Sequence, residues 1–67
     1  MNSEATVKEL AIYVGCTATL HLGELGVRVT VLDARKIWGR IDLQITPIAG
    51  NGQNWVSLAS VSDLRTP

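Results

Sequence analysis

A two-residue alternation of aliphatic and polar side chains between positions 27 and 45 most constrains what this chain can fold into. Val27, Val29 and Val31 alternate with Arg28 and Thr30, which is the pattern of a half-buried strand. A slip of one residue would bury the arginine, so the register is strongly specified. The stretch 37–46 alternates again, and the residues on its apolar side are Ile37, Gly39, Ile41, Leu43 and Ile45. We therefore predict strands at 27–33 and 37–46, joined by a turn at the polar stretch 33–36.

Two further strands are predicted on either side of this pair. Residues 17–22 alternate with Ala18, Leu20 and Leu22 on one face, and the glycines of 23–26 mark the connection to the next strand. Asn51-Gly52 is a strong turn signal before a last strand at 55–58, and we expect its Trp55 to lie in the core. Gly39 falls on the inward side of its strand, where we expect a bulge or a bend.

The N-terminal residues 6–14 favour a short helix. Thr6 and Glu9 have the spacing of a capping box, in which each side chain accepts a hydrogen bond from a free backbone N–H at the start of the helix. The apolar positions that recur at helical spacing are Val7, Leu10, Ala11 and Val14. Gly15 stands where a left-handed cap would end the helix. A strand through 12–14 is the alternative, because these three residues are β-formers.

Length and composition point to one small domain, residues 1–67. The chain has 67 residues, 46% of them hydrophobic, and contains no Phe, so its core must come from aliphatic side chains. Short strands in so small a chain are most economically accommodated by one strongly bent sheet, since closure into a barrel removes exposed edges. The expected fold class is mainly β: a small barrel of four to five antiparallel strands with a short N-terminal helix.

The stretch 26–45 resembles the SH3-like small barrels. Gly26 opens a V-x-V strand that ends at Val31, and Gly39 starts the next strand some dozen residues later, as in the KOW-type members. The segment 43–47, Leu-Gln-Ile-Thr-Pro, is similar to a V-Q-I-Y stretch followed by proline in the plasmid-borne type II dihydrofolate reductases, which are also SH3-like barrels. That family builds a substrate pore from several copies, and Gln44 would then face the channel. Because Thr46 stands in place of the tyrosine, the resemblance does not carry the activity over.

Charge and cysteine usage restrict the function classes. Six Lys and Arg balance six Asp and Glu, so no global field attracts the chain to nucleic acid or to an anionic membrane. Cys16 and His21 are the only residues of their types, so a zinc site within one chain and a Cys–His nucleophile are not expected. No catalytic, metal-binding or cofactor-binding residues are assigned, and no cofactor is expected. A lone thiol, with no signal-peptide pattern and no membrane-length apolar run, favours the cytoplasm.

The basic excess lies in the window 28–40, which carries four basic residues and one acidic residue. Alternation places Trp38 and Arg40 on the same outward face of one strand. The five residues assigned to partner binding are Arg28, Arg35, Lys36, Trp38 and Arg40. Trp and Arg are the residue types most enriched at protein-interface hot spots, and bases can also stack on an indole flanked by cations. In the alternative interpretation, Trp38 covers the flank of the barrel or packs under the N-terminal helix, and the basic residues are only solvated.

The sequence favours a non-catalytic accessory or regulatory module that contacts another macromolecule, a protein rather than a nucleic acid, through this Trp/Arg face. A small nucleic-acid-binding barrel is the alternative reading. A homo-oligomeric pore enzyme resembling the plasmid-type reductases is the second alternative. Chains this short often oligomerise, because a shared interface supplements a small core, so a homo-oligomer is also expected among the partners.

Overall fold

The computed structural model describes residues 8–66, and their fold is a single antiparallel sheet of five strands. The strands are β1 (Thr17–Leu22), β2 (Leu25–Ile37), β3 (Arg40–Pro47), β4 (Asn54–Ser57) and β5 (Val61–Arg65). Their order in the sheet is β4-β3-β2-β1-β5, and the single 3₁₀ turn η1 (Leu58–Ser60) packs against β3 and connects the two end strands. The predicted fold class, mainly β with four to five antiparallel strands and a short helix, is confirmed.

The N-terminal helix ends earlier than the sequence predicts. Residues 8–11 are helical and 12–15 form turns, so the helix ends three residues before position 14. The amide of Tyr13 donates to the Leu10 carbonyl at 3.1 Å, a tightened last turn that suits the β-forming residues that follow. Gly15 has the predicted left-handed φ, +86°, but it ends the turns at 12–15 and not the helix, because its amide donates to Val31 instead of a helical carbonyl. Thr6 and Val7, which belong to the predicted helix 6–14 and its capping box, lie outside the described residues.

The central hairpin turns later in the chain than the sequence predicts. β1 spans the predicted residues 17–22, but β2 continues through 33–36 to Ile37, so the expected turn at 33–36 is wrong. The turn lies at Trp38 and Gly39, both with positive φ, between the paired residues Ile37 and Arg40. Gly39 therefore forms a turn rather than an inward bulge, because its φ of +76° suits a residue without Cβ.

A β-bulge at Leu32 explains why the polar stretch can remain in a strand. The pairing with β3 shifts register between Val31 and Asp33, which leaves Leu32 as an extra residue in β2. One extra residue exchanges the two faces of the strand. Before the bulge, the odd-numbered residues of β2 face inward. After the bulge, the even-numbered Ala34 faces inward, opposite Leu43 on β3. Residues 33–36 therefore still alternate between the two faces of the sheet, but even-numbered residues now face inward.

The core lies between the inner faces of β1, β2 and β3. Its buried hydrophobic residues are Cys16, Ala18, Val29, Val31, Leu43 and Ile45. The N-terminal helix lies beside the second half of β2, where Leu10, Ala11 and Val14 line a pocket together with residues 33–34. The amide of Gly15 and the carbonyl of Val31, 2.9 Å apart, fix the end of the helical segment on that edge. The helix therefore covers an edge of β2 that β1 does not pair.

Candidate protein-interaction surface

The tip of the β2–β3 hairpin, residues 37–40, exposes the indole of Trp38 to solvent. We call these four residues the Trp38 tip. Trp38 is 99% exposed, and its neighbour Ile37 is also exposed. Trp38 and Gly39 are the two central residues of a two-residue connection, with φ values of +55° and +76°. Positive φ at both positions is the pattern of a type I′ turn, whose twist matches the flanking strands. The exposure expected of Trp38 from the sequence is therefore confirmed.

The position of Trp38 differs from the one that alternation predicts. Trp38 occupies the turn, whereas Arg40 is the first residue of β3, so the two do not share a strand face. Type I′ turns strongly favour Asn, Asp or Gly at the position that Trp38 holds. A bulky residue with positive φ is a strained outlier, and here its side chain gains no burial in return. Folding alone does not explain a tryptophan at this position.

The outer face of the central strands carries two arginines that converge on one carboxylate. Asp42 is 5% exposed and lies directly opposite Arg35 across the β2–β3 ladder. Arg35 Nε lies 3.5 Å from Asp42 Oδ2, and Arg40 Nε lies 3.1 Å from Asp42 Oδ1. The cluster therefore carries one excess positive charge, and both guanidinium groups are held by the same buried carboxylate.

Trp55 belongs to this outer face and not to the core, which corrects the expectation from the sequence. It pairs with Gln44 across the β3–β4 ladder and is 37% exposed. The guanidinium carbon of Arg35 lies 4.1 Å from the centre of the Trp55 ring, a close cation–π contact. Trp55 lies in the edge strand β4 just after an exposed loop, and its ring packs against the Arg35 guanidinium instead of filling the interior. Gln44 donates to Gln53 Oε1 at 3.3 Å on the same face.

Arg28 lies at a different place on the sheet. Its guanidinium donates to Thr19 Oγ1 at 2.7 Å and to Thr17 Oγ1 at 2.9 Å, both on β1. It also lies 3.4 Å from Asp63 Oδ2 on β5. Arg28 thereby ties three neighbouring strands together, which indicates a structural role.

Lys36 points away from Arg35 and Arg40, because adjacent strand residues face opposite sides of a sheet. Its Nζ lies 3.3 Å from Glu9 Oε2 on the N-terminal helix. The five residues assigned to one surface from the sequence thus occupy separate positions. Arg35 and Arg40 share Asp42, Lys36 contacts the helix, Arg28 holds β1 and β5, and Trp38 stands at the turn.

Five basic residues each form an ion pair with a carboxylate among the described residues. These ion pairs join Arg28 and Arg65 to Asp63, Arg35 and Arg40 to Asp42, and Lys36 to Glu9. The chain has six basic residues in all. A phosphate backbone would have to compete with these carboxylates for most of the positive charge of the protein.

Cys16 and His21, each the one residue of its type in the sequence, form hydrogen bonds within the chain. Cys16 is buried, and its thiol donates to the Ile12 carbonyl at 3.2 Å. His21 Nε2 and Ser62 Oγ lie 2.6 Å apart, which links β1 to β5 on an exposed face. Within residues 8–66, no three His, Cys, Asp or Glu side chains come close enough together to hold a metal ion.

A second apolar feature, which the sequence did not reveal, lies at the other end of the β2–β3 hairpin. Residues 26–28 and 47–50 line an open groove of about 450 Å³, mostly with apolar atoms; we call it the Pro47 groove. Leu22, Leu25 and Ile48, each more than half exposed, lie at the same end of the sheet. The sequence indicates this groove only through the apolar pair Pro47-Ile48 after Thr46. That pair is easily interpreted as nothing more than the end of a strand, because proline ends strand pairing. The two ends of the hairpin therefore both present apolar surface.

The comparisons with known proteins assign the chain to no family: no family model, curated protein or solved structure matches it. Among the residues that the structure describes, no helix has the length and apolar character needed to cross a membrane.

Proposed function

We propose that this chain is a non-catalytic accessory or regulatory module that binds a protein partner by inserting Trp38 into a pocket of that partner. The Trp38 tip supplies the indole as the apolar anchor, and Arg40 supplies hydrogen-bond donors beside it. Trp and Arg anchors of this kind carry most of the energy of many protein interfaces.

The observation that carries the proposal is the combination of full exposure and backbone strain at Trp38. The side chain is 99% exposed and its φ is +55°. Strained residues persist where the surrounding structure over-determines them, and they cluster at binding sites. An exposed tip on a two-stranded hairpin also reaches into a concave partner without moving the sheet.

A protein is favoured over a nucleic acid as the partner because the basic side chains are already paired with carboxylates. Nucleic-acid sites for single strands combine stacking aromatics with a groove of cations that follow the backbone. Here Arg35 and Arg40 are neutralised in part by Asp42, and Lys36 is paired with Glu9. Trp55, the other indole, already has a guanidinium against its ring.

The five-stranded antiparallel sheet, with η1 between its last two strands, supports the proposed membership of the SH3-like barrels. We propose a cytoplasmic location, since Cys16 is a free buried thiol of the kind typical of reducing compartments.

The experiment is capture of partners from a host lysate by immobilised protein, with and without nuclease. Wild type, Trp38→Ala, Arg40→Ala and the control Ile12→Ala are compared, because Ile12 is a large apolar residue that is 66% exposed elsewhere. We expect nuclease-resistant capture of a protein that is lost in Trp38→Ala, weakened in Arg40→Ala and retained in Ile12→Ala. Circular dichroism establishes that all variants are folded. Nuclease-sensitive capture would show a nucleic-acid partner, and capture unaffected by Trp38→Ala would overturn the proposal.

A further inference from the structure

We infer that the protein partner of the Trp38 tip is a second copy of this chain, which receives the tip in its Pro47 groove. The inference rests on the proposed function and adds the identity of the partner. It predicts a head-to-tail assembly, in which each copy offers its tip to one neighbour and its groove to another.

The two surfaces lie at opposite ends of the same hairpin. The groove is lined where β2 begins and β3 ends, at 26–28 and 47–50, whereas the tip is the turn at 37–40. Ten residues of β2 separate Val27 from Ile37, which corresponds to roughly 30 Å along an extended strand. The molecule is elongated to match, with extents of 37 × 23 × 20 Å. This separation prevents a copy from filling its own groove with its own tip.

The groove has the chemistry that an indole requires. Its volume of about 450 Å³ lies in the range of small-molecule pockets, and its walls include Val27, Pro47 and Ile48. Aliphatic walls of this kind can cover an indole, which buries about 150–250 Å² when enclosed. The exposed Leu22 and Leu25 extend this apolar surface toward an approaching neighbour.

Exposed charges of opposite sign lie at the two ends of the hairpin. Arg28, which lines the groove, is itself paired with Asp63 on β5. Glu24 is exposed in the tight turn between Leu22 and Leu25, at the groove end of the sheet. Arg40 is at the tip end, and its side chain is 65% exposed although it contacts Asp42. A guanidinium has five N–H donors, so Arg40 keeps donors for a second carboxylate. Docking a tip into a groove would bring Arg40 of one copy toward Glu24 of the next.

A tip-to-groove contact is heterologous, because different surfaces meet in the two copies. Such contacts close into rings if the rotation between copies permits and otherwise extend as filaments. Each copy would bury its most exposed aromatic residue, and the shared contact would supplement a small core, which contains six buried hydrophobic side chains among residues 8–66.

Sedimentation velocity over a concentration series tests the inference in four proteins: the wild type, two variants and one control. Wild type should form species larger than a monomer as its concentration rises. Trp38→Asn removes the tip anchor, and Asn is well suited to a type I′ turn. Ile48→Asp places a charge at an exposed position of the groove, with Ile12→Asp as the matched control. We expect the first two variants to weaken self-association by at least about tenfold, the loss that follows from removing a hot-spot contact, and the control to behave as wild type.

Mixing the two defective variants gives the decisive result. Trp38→Asn keeps an intact groove and Ile48→Asp keeps an intact tip, so an equimolar mixture should form a dimer and nothing larger. Failure of the mixture to associate, or self-association in which Trp38→Asn and Ile48→Asp behave like wild type, overturns the inference.

The outcome separates this inference from the proposed function. A wild type that stays monomeric while Trp38-dependent capture of another protein persists overturns the self-docking inference and leaves the binding function standing. If Trp38→Asn changes neither self-association nor capture, both are overturned.

Discussion

The guanidinium carbon of Arg35 lies 4.1 Å from the centre of the Trp55 ring, and Arg35 Nε lies 3.5 Å from Oδ2 of the buried Asp42. This contact separates the roles of the two tryptophans. Trp55 holds the guanidinium of an outer-face ion pair against its ring, so we expect it to contribute to stability, whereas Trp38 is 99% exposed. Variants of the two residues should therefore affect different measurements.

Arg35→Lys should lower the free energy of unfolding by about 1 kcal/mol, because an ammonium loses the planar stacking on Trp55 and the fixed hydrogen-bond geometry. Arg40→Lys is the control, since Arg40 contacts the same carboxylate and its side chain is 65% exposed. We expect a smaller loss in the control, measured by urea denaturation. Equal losses in the two variants would mean that the stacking on Trp55 contributes nothing.

Trp38→Asn should raise the free energy of unfolding by about 1 kcal/mol, because Asn adopts positive φ at a lower cost than other residues with a Cβ. The same substitution should abolish partner binding. Stability is measured by denaturation at a protein concentration at which the chain is monomeric, so that association does not contribute. A destabilised Trp38→Asn would show that the indole packs on its own chain.

Arg28→Met should lower the free energy of unfolding by about 1–2 kcal/mol, because the hydrogen bonds to Thr17 and Thr19 are lost while the aliphatic stem is kept. Arg65→Met is the matched control: it removes a more exposed cation that contacts the same Asp63, and should change stability by less than about 0.5 kcal/mol. Thermal or urea denaturation distinguishes the two. A negligible effect of Arg28→Met would contradict the structural role assigned to this arginine.

Leu43→Ala should lower the free energy of unfolding by about 3 kcal/mol, since Leu43 is fully buried in the centre of the sheet and its truncation leaves a cavity. For a chain this small, that loss should be visible as partial unfolding at room temperature. Leu25→Ala, at an exposed position, is the control and should have little effect. Similar stabilities of the two variants would place the core elsewhere.

Single-stranded and double-stranded oligonucleotides should not bind at physiological salt, because five of the six basic residues are paired with Asp42, Asp63 and Glu9. Fluorescence anisotropy over a salt series is the measurement. Tight binding that weakens steeply with salt would instead show several phosphate contacts and favour the nucleic-acid alternative.

The sequence predicts the strands well where alternation is uninterrupted and fails where one residue changes its phase. Residues 17–22 and the inward Val29, Val31, Leu43 and Ile45 follow a plain period of two, and the structure confirms them. The bulge at Leu32 gives no local signal, so the polar residues after it were interpreted as a turn. A turn with Trp at positive φ was not predictable, because that residue opposes the preference of the turn.

The candidate site shows the same limits. Exposure of Trp38 is predicted from alternation along a strand, and the structure confirms the exposure but places Trp38 in the turn. The grouping of Arg28 with Arg40 is wrong, because the turn at 38–39 sets Arg40 opposite Ile37 and leaves Arg28 near the other end of β2. Trp55 illustrates the same difficulty: hydrophobic character suggested the core, but an edge strand and the nearby Arg35 hold it on the outer face.

The most direct test of the central claim is the emission of Trp38 alone, in a Trp55→Phe protein, where the Phe ring preserves an aromatic surface for Arg35. At concentrations where sedimentation shows a monomer, we predict red-shifted emission that is fully accessible to acrylamide, as expected of an indole that is 99% exposed. On binding of a partner or a second copy, the emission should shift to the blue and become protected. Blue-shifted, protected emission in the isolated monomer would contradict the account, because Trp38 would then be buried by its own chain.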